Sequence, residues 1–213
     1  MTYNVANATS AERADLIQAL NTAAQPRFTA LEGDVKAIPG GVEVCGIRVY
    51  GASLRAHLAG CSHALLFAAT LGAETDRLIS RRAVLSVAEA YMLDTLASQR
   101  IESFCDAACQ TLSRRPDGLY LRPRYSPGYG DVDIALSHSM LATLDAGKRI
   151  GLCATAQGML TPVKSVTAFI GLTQEKQSCH IHKCAACPNA GCAFRKDAYY
   201  GNSTSLTRTP AVL

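Results

Sequence analysis

Four cysteines near the end of the chain carry the tightest chemical spacing in it: Cys179-x4-Cys184-x2-Cys187-x4-Cys192, with His180 and His182 inside. Four thiolates in so short a stretch converge on one centre only if the chain wraps around it. Soft sulfur ligands select zinc or iron–sulfur centres over magnesium or calcium. Zinc ribbons join two separated Cys-x2-Cys knuckles. Here a single such pair has its outer partners close by, which is nearer to a ferredoxin-type wrap of four thiolates around an iron–sulfur cluster. Structural zinc is the alternative, and thiols without a metal, or a disulfide pair, the third reading. Cys45, Cys61, Cys105, Cys109 and Cys153 are scattered among apolar residues instead, where a thiol behaves as a small hydrophobe.

The second concentrated signal is Arg122-Pro123-Arg124-Tyr125-Ser126-Pro127-Gly128-Tyr129-Gly130-Asp131. Pro127 fixes one backbone angle and Gly128 permits positive φ, so a tight turn is expected at Pro-Gly. Such a bend turns the flanking side chains outward and exposes backbone amides. Arg124 offers a planar fork that grips a carboxylate bidentately. Tyr125 and Tyr129 offer ring faces that attract a cation such as a sulfonium. The plain alternative is an ordinary turn with arginine stacked on tyrosine.

Several elements must position these groups. Thr9 and Glu12 have capping-box spacing ahead of Leu16, Ile17 and Leu20, which predicts a first helix. Pro39-Gly40-Gly41 marks a turn. Val42, Val44, Ile47 and Val49 alternate around a slip at Cys45-Gly46, predicting a hairpin or bulged strand. Ser53 is placed to cap a brief helix to Leu58, and residues 64–71 read as a buried strand. Residues 74–115 contain neither Gly nor Pro and read as helix, with a break expected near Arg81-Arg82. Ala90, Leu93, Ala97, Ile101, Phe104, Ala108 and Leu112 give that helix a core-facing side. Asp94, Ser98, Glu102 and Asp106 recur beside it at every fourth residue: either a solvated face, or a face with one or two carboxylates at a cleft. Asp131 or Asp133 is placed to cap a further helix to about Asp145. Strands are expected at residues 151–155 and 163–172.

Composition limits the functional classes. With 213 residues, 48% of them hydrophobic and 18% charged, the chain has enough apolar surface for a real core, which excludes intrinsic disorder. A net charge of +4 is too mild for a nucleic-acid binder that relies on many phosphate contacts. No segment approaches the roughly 20 apolar residues that span a bilayer, so no membrane partner is expected. The first ten residues show neither the basic start nor the apolar stretch of a secretory signal, and the expected compartment is the cytoplasm.

The Arg124, Pro127, Gly128 and Tyr129 core, the Lys164-Ser165-Val166-Thr167-Ala168 strand and the Phe67-Ala68-Ala69-Thr70-Leu71-Gly72 segment resemble the activation domain of vitamin B12-dependent methionine synthase. More closely, the chain resembles stand-alone short versions of that domain that end in a cysteine cluster. The similarity runs from about Val42 to Arg195. It implies an α+β fold, a curved antiparallel sheet flanked by helices, over residues 1–176. A small cysteine-rich metal-binding segment at 177–200 and a flexible tail at 201–213 follow.

The implied function is reactivation of a corrinoid methionine synthase that lacks its own activation domain. Co(II) cobalamin held by that partner receives one electron and a methyl group from S-adenosylmethionine. Carried over, Arg124 holds the S-adenosylmethionine carboxylate, Ser126 and Gly128 lend backbone, Tyr129 lines the groove near the corrin, and Glu102 contacts the ligand. Asp94 is the second acidic candidate. Cys179, Cys184, Cys187 and Cys192 ligate the iron–sulfur cluster, or zinc, and relay an electron from a donor such as flavodoxin or ferredoxin. The chain is then an accessory subunit rather than a free-standing enzyme. The competing readings are a zinc-stabilised protein-binding module and an activator of another corrinoid methyltransferase. Two departures stand out: Gly130-Asp131-Val132-Asp133 follows the Gly-Tyr pair, and the cysteine cluster replaces the family's closing segment with its ligand-contacting tyrosine.

Overall fold

The apolar run at residues 64–71 becomes strand β4 (His63–Thr70), central in a six-stranded sheet, in a computed structural model that describes residues 10–114 and 117–175. Its side chains alternate between two cores because a strand has period two. Ala64, Leu66 and Ala68 enter one core and Leu65, Phe67 and Ala69 the other. Both faces of β4 are therefore covered, which explains a run with no polar alternation.

On one side β4 pairs with β1 (Arg27–Ile38) and on the other with β8 (Ser165–Thr173), both antiparallel. Residues 27–34 of β1 pair with β4, while its last four residues pair with β2 (Gly41–Val44). β2 turns through Cys45-Gly46 into β3 (Ile47–Tyr50), the hairpin expected from the valine pattern. Both turn residues have positive φ, 51° and 78°, the two-residue turn that matches strand twist. A short β5 (Tyr120–Leu121) adds to the far side of β8, giving the order β3-β2-β1-β4-β8-β5. Strand β1 has no counterpart among the sequence expectations. It carries Glu32, Gly33, Asp34 and Lys36 and is half-exposed along most of its length, so its pattern does not read as a strand.

Helices α1 (Ser10–Ala23), α3 (Ala73–Leu85) and α4 (Val87–Leu112) lie on one side of the sheet. Leu16 and Leu20 of α1 join Leu93, Ala97, Ile101, Cys105 and Ala108 of α4 in the core there. On the other side, α2 (Ala52–His57), α5 (Leu136–Thr143) and α6 (Ala146–Ile150) pack with the hairpin around Leu54, Met140, Ile150 and Phe169. The expected strand at 151–155 shrinks to β6 (Cys153–Ala154), which pairs only with β7 (Leu160–Thr161) in a separate ribbon. The architecture is thus α+β, an antiparallel sheet flanked by helices. No described helix is long and apolar enough to cross a membrane.

Two helix boundaries correct the expectations. The break between α3 and α4 falls at Ser86, not at Arg81-Arg82. Ser86 adopts an extended conformation and its Oγ accepts a hydrogen bond from the Glu89 amide at 3.3 Å, the Ser-x-x-Glu capping arrangement. Arginines are good helix formers, and Arg82 continues the helix while pairing with Glu89 at 2.9 Å. The helix expected to run to about Asp145 is α5, which ends at Thr143, and Asp145 in the left-handed conformation leads into the unexpected short α6. The Thr9 cap, the cysteine-rich segment and the tail lie outside the described residues.

Candidate functional site

The polar row along α4 is neither freely solvated nor open. Its four members divide between two cations, one at the start of β8 and one beside the middle of that strand. Lys164, in the turn entering the strand, places Nζ 2.7 Å from Asp94 and donates to the Ser98 hydroxyl at 3.0 Å. Arg124 reaches the same helix two turns further on. Its Nη2 donates to Glu102 and its Nη1 to Asp106, at 2.9 and 2.8 Å. Nη1 also lies 3.6 Å from the Cys109 sulfur.

The Arg124 side chain is only 18% exposed, against 47% for Glu102 and 48% for Asp106. Burial works against the guanidinium's charge, but the bonds to Cys109 and Asp106 outweigh it and raise the pKa further. One turn below, Cys105 is fully buried and burial pushes its thiol up to about 12, so it serves as packing rather than as a nucleophile.

Arg124 can point at α4 because the chain beside it is tied to the sheet. Tyr125 exchanges both backbone hydrogen bonds with Phe169, at 2.9 and 2.8 Å. Neighbouring residues of an extended segment face opposite ways. Arg124 accordingly turns to α4, and Tyr125 turns to the opposite core, its ring 5.1 Å from that of His57. The bend beyond is the expected one: Gly128 has φ of 88°, and its amide donates to the Val132 carbonyl at 2.8 Å. Tyr125 Oη donates to the Tyr129 carbonyl at 3.0 Å, locking the bend from inside. Gly130 sits so close to Ser53 and Tyr125 that a Cβ there would lie 2.5 Å from the serine oxygen.

Arg124 and Glu102 are therefore in direct contact. Tyr129 is 59% exposed, and its ring stands 6.4 Å from that of Tyr125, on the α2 side. Ser126 is half-buried and Gly128 exposed, in the bend between these two groups. The loop thus straddles the edge of the sheet. Asp94 is engaged by Lys164. Asp106 and Cys109 are partners of Arg124 beyond those the sequence predicts; the four-residue step from Glu102 is the one local signal for Asp106. Cys179, Cys184, Cys187 and Cys192 lie outside the described residues. Among the described residues, no group of three or more His, Cys, Asp or Glu side chains is arranged to hold a metal ion.

Asp131 has a different role from the one expected. Its carboxylate accepts from the Ala52 amide at 2.6 Å and the Ser53 amide at 3.1 Å, capping α2 from across the molecule. Ser53 does not cap that helix, and the Ala135 amide is met by Asp133 instead, at 2.9 Å. The amide bonds to Ala52 and Ser53 hold the Asp131 carboxyl below its ordinary value. A depressed carboxyl stabilises the fold above its unfolded value, near pH 4, and loses that contribution as pH falls through the folded value. Chemical unfolding of Asp131→Asn should therefore show a stability gap to wild type that is constant above about pH 5 and narrows below about pH 4. A gap independent of pH would contradict the cap.

No protein-family model matches the sequence, and no curated protein matches it. Among solved structures, the crystal structure of the MetH reactivation domain bound to AdoHcy superposes with a TM-score of 0.59 at 15% identity. The match covers 79% of this chain and 67% of that one. The two proteins share a fold. The arrangement around Arg124 is suited to holding and orienting charge. A guanidinium stays protonated at neutral pH, so it moves no protons. Two carboxylates facing one cation also leave the local charge negative, which suits a ligand carrying positive charge.

Proposed function

We propose that this protein is the reactivation partner of a corrinoid methionine synthase lacking its own activation domain, and that it supports reductive methylation of Co(II) cobalamin with S-adenosylmethionine as methyl donor. One observation carries this reading: on the reactivation-domain fold, Arg124 projects from a rigid bend onto an acidic helix face beside Glu102. AdoHcy is what remains of S-adenosylmethionine once its methyl group has left. In the proposed complex Arg124 takes the ligand carboxylate and Glu102 its ammonium. Ser126 and Gly128 offer backbone at the bend, and exposed Tyr129 meets the partner's corrin. One electron reduces the cobalt, whose electron pair then takes the methyl group from sulfur, and AdoHcy departs.

Residues 1–176 form the ligand-binding domain in this proposal and 177–200 the metal segment. An iron–sulfur centre at Cys179, Cys184, Cys187 and Cys192 would supply an electron received from a flavodoxin or ferredoxin; centres of that kind reach down to about −700 mV.

The test is anaerobic mixing with a Co(II) synthase, a reductant and S-adenosylmethionine. Methylcobalamin should form, as read by its absorption spectrum, and should require this protein. Unchanged Co(II) in the complete mixture would overturn the proposal. Stoichiometric zinc without iron in the purified protein would remove the electron relay alone.

A further inference from the structure

The Arg124 guanidinium meets two acids, and an incoming ligand carboxylate needs one of its edges. Exposure does not decide which acid yields, since Glu102 and Asp106 are nearly equal in it. The surroundings do. Nη1 is enclosed by Asp106 and by the Cys109 sulfur, one helical turn apart on α4. Nη2 has Glu102, which stands a turn nearer Ser98 and has one more rotatable bond than aspartate. Glutamate can swing off the guanidinium and stay within reach of whatever enters; the shorter Asp106 holds its edge.

We infer that Asp106 is a positioning residue for Arg124, and that Glu102 is the partner exchanged when an α-amino-acid end binds. The inference rests on the proposed ligand. A zwitterion inserts into the Arg124–Glu102 pair with its carboxylate on Nη2 and its ammonium on the released glutamate, so each charge keeps an opposite neighbour. Asp106 keeps Nη1 fixed throughout, and the fork does not lose its aim during the exchange. The site thereby selects adenosyl compounds with an intact amino-acid end over those without one.

The experiment is calorimetry on the full chain with two probes, AdoHcy and 5′-methylthioadenosine, which lacks that end. Wild type should bind AdoHcy more tightly than methylthioadenosine. Asp106→Asn should weaken AdoHcy binding roughly tenfold, the scale of one charge-assisted contact, and leave methylthioadenosine unchanged. Asp106→Ala, at the same half-exposed site, should behave alike. Unaltered AdoHcy affinity in both variants, or an equal loss for both probes, would overturn the positioning role. Arg124→Ala separates the two levels. If it weakens AdoHcy while the Asp106 variants do not, only the positioning role falls. If wild type fails to bind AdoHcy, or Arg124→Ala leaves its affinity intact, the ligand reading falls with it.

Discussion

Arg124→Ala should slow methyl transfer to Co(II) synthase by about 10- to 150-fold at limiting S-adenosylmethionine, the factor carried by about 1.5–3 kcal/mol for a hydrogen bond to a charged group. The variant removes the only group proposed to hold the ligand carboxylate. It also leaves Glu102 and Asp106 facing each other without the guanidinium between them. Both acids are about half exposed, and water screens much of their repulsion, so the accompanying loss of stability should be small, about 1 kcal/mol. Rate and stability thus separate: a large kinetic defect in a protein that still unfolds cooperatively. A variant that transfers methyl groups at the wild-type rate would contradict the role of Arg124.

Phe67→Ala should be the most damaging single change to the fold. Phe67 is fully buried at the centre of β4, and its strand neighbours in register are both alanines, Ala30 and Ala168. Small residues on both sides give the ring its room, and they cannot grow to fill the space it leaves. The ring also stacks on Phe28, centroids 6.0 Å apart, and Phe28 meets Phe104 of α4 edge-on. Truncating a buried phenylalanine costs about 3–5 kcal/mol. For a chain of this size that lowers Tm by about 6–20 °C. Calorimetric melting checks it, and a shift below 3 °C would mean that the core closes around the gap.

How far the sequence foretells this structure depends on where each element finds its partners. β4 was readable because both its faces are buried, and the β2–β3 hairpin because its valines alternate around Cys45-Gly46. β1 was not. Its stability comes from pairing with two different strands, and Gly33 is there because a Cβ would lie 2.5 Å from the Cys45 sulfur, a constraint set by a residue twelve positions away. The α3–α4 break was legible in the Ser86 and Glu89 spacing, whereas the two adjacent arginines carry no helix-breaking signal.

At the site, the bend at Pro127-Gly128 follows from local sterics and could be foreseen. The company of Arg124 could not. Its pairing with Glu102 and Asp106 depends on the Tyr125–Phe169 bridge and on α4 lying across β8, which no local pattern encodes. Asp131 illustrates the same gap, since a carboxylate three residues after Gly128 looks like a cap for the next helix and instead caps one far earlier in the chain.

The most direct measurement is the heat of AdoHcy binding to the full chain in the presence of its corrinoid synthase, with Arg124 intact and with Arg124→Ala. A guanidinium that anchors the amino-acid end predicts a saturable exothermic isotherm for the first and an affinity at least tenfold weaker for the second. Superimposable isotherms would place the ligand, if it binds, somewhere other than the bend.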